Sequence, residues 1–306
     1  MRTFSQTFTF FFTITMATTA STAFSASTTP KKVIVTGAGG QTGQILFRKM
    51  LALPEEFAPV GLVRTEASKQ ALLQSQSEGA TAPIPESSIE VVDVTDAEAV
   101  RKVAKDCSAF CICTSAKPKP TGVMNEETGR PVFGFPNGSP EEVDWIGQKN
   151  QIDAVGKDAH VVICSSMGGT DPNQMLNSLG RTNNADGTTS GGNILKWKRK
   201  AEMYLIESGR PYTIVHPGGL IDEEGGEREL VFGVNDSTEG TDSRTVPRAD
   251  VAEVMLQSIR EADVYAGKSF DLRAKPVEEG KASTDFRGLV QSLDGKIYDY
   301  SLGEVM

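Results

Sequence analysis

Histidine is nearly missing from this 306-residue chain. His160 and His216 are the only two, which excludes a metal site built from several histidines. Cysteine is scarce as well. Cys107, Cys111, Cys113 and Cys164 lack metal-ligand spacing, and three of them crowd what reads as one strand, so they are expected to be core thiols. No stretch reaches the roughly 20 consecutive apolar residues of a membrane span. The formal net charge is −9, and an acidic surface repels phosphate backbones, so no nucleic-acid partner is expected and any functional cation must act locally. No internal repeat is apparent. A hydrophobic content of 38% and a charged content of 23% are those of an ordinary globular protein, and Gly 30 suits a fold with many tight connections.

The first stretch has its own deficit, since no acidic residue precedes Glu55. Residues 1–30 are Ser/Thr-rich and carry Arg2, with Lys31 and Lys32 following, the composition of a targeting segment. The Ser/Thr bias fits a plastid transit peptide. The run Phe8-Thr9-Phe10-Phe11-Phe12 alternatively supplies the apolar core of a secretory signal, and a bipartite signal contains both. The expected location is the chloroplast or another plastid, with the secretory pathway or cytoplasm as alternatives.

What is present is organised around residues 31–44. Val33-Ile34-Val35 is a β-branched run suited to a strand buried on both faces, and Gln44 to Leu51 are good helix formers. Between them lies Gly37-Ala38-Gly39-Gly40-Gln41-Thr42-Gly43, with glycines spaced Gly37-x-x-Gly40-x-x-Gly43. One glycine permits a tight turn, one lets main chain approach a pyrophosphate, and one lets the helix pack on the strand. The unpaired N–H groups at the helix start face the anion. These residues are therefore candidates for binding a dinucleotide.

A second strand, Pro59 to Arg64, ends in a basic residue 21 positions after Gly43. A site selective for NAD carries an acid there to hold the ribose 2′-hydroxyl, whereas a guanidinium offers paired donors to a 2′-phosphate. Arg64 thus points to NADP, with Lys69 as a possible second cation. The alternative is a solvated charge at a strand end. A third strand from Ile89 ends at Asp93 and Val94, candidates for the adenine edge and face, although Asp93 equally suits a turn. Thr95 or Asp96 caps the next helix. The fourth strand, Ala109 to Thr114, runs into Ser115 and Ala116, small residues that let main chain pass close to a cofactor. Alternating strands and helices predict an α/β fold with a parallel sheet.

Residues 117–139 read as a long surface loop able to cover the site. A helix opens at Pro140-Glu141-Glu142, its acids placed where the dipole favours them, and the fifth strand, His160 to Cys164, leads into Ser165-Ser166-Met167-Gly168-Gly169 at the sheet's carboxyl edge. Residues 171–192 are polar. A helix from about Asn193 follows, then a sixth strand, Tyr212 to His216, that breaks at Pro217-Gly218-Gly219, and those three residues are further cofactor candidates. An irregular acidic region, a helix from Arg248, a last strand at 269–272 and a terminal helix near 285–293 complete the chain.

Taken together, these blocks resemble the atypical short-chain dehydrogenase/reductases of the NmrA-like, plant NAD(P)-binding group. The likeness rests on Val35 to Gly43, Gly61-Leu62-Val63-Arg64, Val143 to Gln151, Ser165 to Gly169, Asn193 to Glu202 and Val246 to Ala252, in that order. It implies a Rossmann doubly wound parallel sheet with a small C-terminal substrate lobe. One NAD(P)-binding domain would span 31–306, with 217–247 and 273–306 contributing to the lobe. The wider family reduces carbonyls with a serine, a tyrosine and a lysine. Ser166 matches the serine. Lys198 best matches the lysine, as catalytic residue and ribose ligand, the alternative being one charge of a solvated helix face paired with Glu202.

Four residues before Lys198, where the tyrosine belongs, stands Ile194, and no Tyr-x-x-x-Lys occurs anywhere in the chain. An aliphatic side chain handles no proton, so the acid must be Ser166, water or the substrate's own conjugation. His216 invites a catalytic role, but a strand-end histidine before Pro217 better suits a bond to a loop. A Ser/His/Asp hydrolase is disfavoured because Ser166 lacks a nucleophile elbow, and an epimerase lacks its tyrosine. Two expectations follow: an NADP-dependent reductase of a small conjugated or aromatic substrate, or a non-catalytic NADP(H) sensor or scaffold.

Overall fold

The computed structural model describes residues 29–75, 83–126, 129–184, 186 and 188–306. All but the last two residues of the expected targeting segment lie outside the described residues.

Eight strands form the central sheet: β1 Lys31–Thr36, β2 Phe57–Val63, β3 Ile89–Val91, β4 Ala109–Ile112, β5 His160–Cys164, β6 Tyr212–Pro217, β7 Leu230–Gly233 and β8 Lys268–Ala274. Their order is β7-β8-β6-β5-β4-β1-β2-β3, parallel throughout except for β7, which runs antiparallel to β8 at the edge. The order reverses between β1 and β4, the crevice where doubly wound sheets bind their ligands. This is the expected Rossmann arrangement.

The strands alternate with a period of two. Val33, Val35, Cys111, Val162 and Val215 pack into one apolar cluster, while Ile34, Phe110, Ile112, Val161, Ile163 and Ile214 pack into another. Strands β1, β4, β5 and β6 therefore bury both faces, which explains their apolar, largely β-branched runs. The first cluster is covered by α1 (Gln41–Leu51) and its neighbour α6 (Arg248–Arg260). The second lies under α3 (Ala97–Ala104), α4 (Gln148–Ala154) and α5 (Ile194–Glu207). Helix α2 (Glu66–Gln74) flanks β2 and β3, and a π-helical segment, Glu141–Gly147, precedes α4.

Local chemistry sets the ends. The Asp96 side chain accepts from the Glu98 and Ala99 N–H groups, so Asp96 caps α3, while Thr95 bonds Asp93 instead. Two elements differ from the sequence expectation. Residues 117–139 contain an antiparallel hairpin, Lys119–Met124 with Pro131–Gly134, whose Pro and Gly content masks any alternation. Strand β7 lies inside the stretch expected to be irregular. It is only four residues long and sits among acids and glycines.

Candidate active site

Two cavities meet at the carboxyl edge of the sheet, the larger about 760 Å³ and the smaller about 370 Å³. They share Gly40, Cys113, Ser115 and Lys117 at their junction. The glycine turn lies directly beneath them. Gly37 has φ +65°, and a Cβ there would fall 2.7 Å from the Cys113 carbonyl oxygen. A Cβ on Gly43 would fall 2.3 Å from the Gly37 carbonyl oxygen, so the start of α1 presses onto the end of β1 with no space for a side chain. Gly40 precedes α1 and brings no side chain to cap it. The first-turn N–H groups that every helix leaves unpaired are thus free to meet an anion.

Gly37, Gly39 and Gly40 line the larger cavity, and Gly40, Gln41, Thr42 and Gly43 line the smaller. Ala38 lines neither: its N–H donates to the Leu62 carbonyl at 3.2 Å and its methyl is fully buried against the position that Gly61 keeps open. Arg64 borders the larger cavity, and its guanidinium donates to the Asn137 carbonyl oxygen at 2.5 Å and to Asn137 Oδ1 at 2.9 Å. Lys69 turns away to Glu86 at 3.2 Å, while Thr65 and Ser68 face the cavity in its place. Asp93 lines the cavity and is also a turn residue, with Oδ1 accepting from the Thr95 N–H and hydroxyl. Val94, Thr114 and Ser115 line the same cavity, and Ala116 lines the smaller one. Pro217, Gly218 and Gly219 line neither. Their main chain is taken up by Met167 and the Leu272 carbonyl, where β6 keeps pairing past its neighbours' ends, and by the Arg244 carbonyl, where Gly219–Ile221 pairs with Thr245–Pro247.

The smaller cavity brings Ser166 and Lys198 together. Ser166 Oγ donates to the Met167 carbonyl at 3.0 Å. Lys198 is buried, not part of a solvated face, and its partner is Asp144, 2.8 Å away and fully buried, instead of Glu202. Burial by itself lowers the lysine's pKa, but the adjacent carboxylate outweighs it and leaves the pKa raised, so the ammonium stays charged at neutral pH. Burial pushes the Asp144 carboxyl up, against the pull of Lys198 and of the Ala116 N–H that Oδ2 accepts at 3.0 Å. Ile194 stands at the cavity wall where the family's tyrosine would reach in. Phe135, Leu176, Leu179, Leu195 and Leu220 make the remaining walls largely apolar, and Arg248 adds one cation, bonded to Asp222 at 2.7 Å. Of the segments expected to form the substrate lobe, 217–247 supplies Leu220 to this cavity.

Cys113 and Cys164 also line it, and burial pushes the Cys164 thiol up to about 11 and the Cys113 thiol higher still, so neither is a thiolate at neutral pH. His216 lines neither cavity. It is buried, with Nε2 3.0 Å from Glu202 Oε2 and Nδ1 3.8 Å from Asp271, and Glu202 also accepts the Ser165 hydroxyl. Its role is to brace the Ser165–Thr170 loop, which Asp236 holds from the other side through the N–H groups of Gly168 and Thr170. Sequence reasoning missed Asp144, Phe135 and Arg248. In the structure Asp144 begins a buried polar stripe with Gln148 and Gln151 at i, i+4 and i+7. Gln151 receives the Thr36 hydroxyl at 2.7 Å.

Comparison with known proteins agrees with this geometry. The profile of the NAD(P)H-binding family matches residues 37–262. The chain is 42% identical to the chloroplastic Arabidopsis thaliana protein At2g37660 over 89% of this chain and 78% of that protein. It is 39% identical to sanguinarine reductase of Eschscholzia californica over 84% of this chain and 94% of that protein. Among solved structures, a putative NAD-dependent epimerase/dehydratase from Bacillus halodurans superposes with a TM-score of 0.57 at 20% identity. That match covers 86% of this chain and all of the other, a likeness of fold.

Proposed function

The chain belongs to the NAD(P)H-binding family, in its atypical short-chain dehydrogenase/reductase and NmrA-like branch, and from that premise we propose that it is a plastid NADPH-dependent reductase of a small conjugated or aromatic substrate. The observation that carries this reading is the junction of the two cavities over the glycine turn. The larger is lined by Arg64, and the smaller holds Ser166 and Lys198 between apolar walls. The residues present fit a dinucleotide. Gly37 and Gly43 leave a cradle that any Cβ would fill, and the uncapped start of α1 offers N–H donors to a diphosphate. Thr114 and Ser115 border the middle of that path, Asp93 and Val94 the adenine end, and Arg64 the 2′-phosphate, which favours NADPH over NADH.

When bound, the reduced coenzyme supplies a hydride to an electrophilic carbon. This chain's own residues orient and charge-balance the partner. Asp144 fixes the Lys198 ammonium at the cavity wall, where it would donate to the nicotinamide ribose and place a cation beside the substrate oxygen. The Ser166 hydroxyl, which donates to the Met167 carbonyl, would donate to that oxygen instead. Ile194 contributes only apolar surface, so the proton comes from Ser166, from water, or is made unnecessary by conjugation within the substrate. Phe135, Leu176 and Leu195 favour a flat apolar ring over a sugar. Likeness to the chloroplastic protein At2g37660, together with the Ser/Thr-rich start of the chain, supports a plastid location, and likeness to sanguinarine reductase supports reduction.

The test is NADPH oxidation with a panel of quinones, flavins and enones. Turnover that falls at least about tenfold in Lys198→Ala and Ser166→Ala supports the reading, on the scale expected for removing an electrostatic donor. Ile194 in place of the tyrosine favours a second reading, a cofactor-binding sensor. Tight NADPH binding without turnover across the panel would select it.

A further inference from the structure

Arg64 does not stand alone at the end of the larger cavity. Its NH1 donates to the Asn137 carbonyl oxygen at 2.5 Å and its NH2 to Asn137 Oδ1 at 2.9 Å, a two-point grip on one guanidinium edge. Among the described residues the Nε–H has no protein acceptor, so the side-on edge formed by Nε and NH2 keeps donors for a further anion. Asn137 belongs to a short bridge between the cavities. Phe135 lines the smaller one, while Pro136, Asn137 and Gly138 line the larger.

Both ends of the bridge are anchored. Phe135 seats against Gly180, where a Cβ would fall 2.5 Å from its ring. Gly138 closes a turn by donating to the Phe135 carbonyl at 3.3 Å, and Ser139 and Glu142 bond reciprocally at the start of the following helix. Between these anchors, Asn137 is exposed and Arg64 holds it.

We propose that Asn137 is a positioning residue for cofactor choice: it aims Arg64 at the adenosine 2′-phosphate and ties the Phe135–Gly138 bridge to that phosphate. A guanidinium on a free side chain surrenders rotamer entropy when it binds a dianion, and one already gripped on its outer edge surrenders less. The coupling is reciprocal, so a phosphate that fixes Arg64 also fixes the bridge, and the phosphate is felt at the Phe135 wall of the substrate cavity. This inference rests on the NADPH reading above and adds to it a second residue and a link between the two cavities.

Calorimetry with NADPH and NADH on the wild type and on Arg64→Ala, Asn137→Ala and Asn137→Asp tests it. The Oδ1 bond is exposed and the main-chain bond survives in Asn137→Ala, so NADPH affinity is expected to fall about threefold there, with NADH changed by less. Asn137→Asp places a carboxylate on the guanidinium and near the phosphate, and NADPH affinity is expected to fall about tenfold or more while NADH binding is held. In hydrogen exchange, NADPH should protect residues 135–138 more than NADH does, and Arg64→Ala should erase the difference. If Arg64→Ala loses the preference for NADPH while both Asn137 variants keep it, or if Asn137→Ala binds NADPH more tightly, the inference is overturned and the Arg64 assignment stands. Equal losses of NADPH and NADH in Arg64→Ala would instead overturn the cofactor reading itself.

Discussion

Replacing Asp144 by Asn removes one charge from the site while changing little else. The amide oxygen still accepts the Ala116 N–H, but the Lys198 ammonium, buried and 2.8 Å away, loses its counter-charge. Removing one partner of a buried pair costs about 3–5 kcal/mol, because the remaining charge is left unsolvated. At about 2–4 °C per kcal/mol for a chain of this size, the midpoint of thermal unfolding should drop by about 10 °C. Asp144→Asn/Lys198→Met should recover much of that loss, so the two single effects are not additive and the cycle reports a coupling of about 1–3 kcal/mol. The pH dependence has a definite sign. Lys198 has a raised pKa in the folded state, so its contribution is complete below the ordinary lysine value and persists across neutral pH. Asp144 is pushed up by burial, so as acid protonates it the wild type comes to resemble the variant and the deficit shrinks. Urea and thermal unfolding at pH 5 and pH 8 measure both effects. An unfolding midpoint within about 2 °C of wild type at pH 8, or strictly additive singles, would refute the assignment of a buried pair.

Other outcomes follow from the same geometry. Gly37→Ala forces a side chain into φ +65° and against the Cys113 carbonyl, so NADPH binding should be lost by calorimetry even where circular dichroism shows the fold retained; unchanged affinity would remove the cradle. The two histidines should separate in carbon-13 NMR titrations. Burial and Lys31 pull His160 to about 4, whereas His216, which burial would lower, is raised above its ordinary value by Glu202 and Asp271. The His216 contribution is then complete below about pH 6.5 and lost as pH rises through the folded value, so Glu202→Gln should flatten the alkaline side of the stability profile. Two histidines titrating together near 6.5 would contradict this.

Much of the sheet could be read from the chain because burial on both faces writes itself as unbroken β-branched runs: Val33-Ile34-Val35, His160 to Cys164 and Tyr212 to His216 all lie where expected. The glycine turn was equally legible, since only glycine fits φ +65° together with the Cys113 carbonyl 2.7 Å from a Cβ at Gly37, and the 2.3 Å clearance at Gly43. Asp144 was not. It sits beside Glu141 and Glu142 in a turn where acids are favoured for electrostatic reasons, and nothing local distinguishes the buried one. Lys198 lines the smaller cavity, but its partner is not the one that its own helix suggests. Helical spacing offers Glu202, while tertiary packing supplies Asp144 and commits Glu202 to His216. Pro217 to Gly219 read as a break because of their composition, but long-range pairing with Met167, Leu272 and Arg244 decides what their main chain does. Strand β7 escaped because an antiparallel edge strand of four residues carries too little pattern to stand out.

The central claim is that an adenine dinucleotide lies across the first strand-to-helix corner with its diphosphate on bare main chain. Isothermal titration of NADP+ and NADPH into the purified protein tests it most directly. One coenzyme per chain, bound at micromolar concentration and lost in Gly37→Ala, is the predicted result. No heat from either coenzyme at millimolar concentration would contradict it.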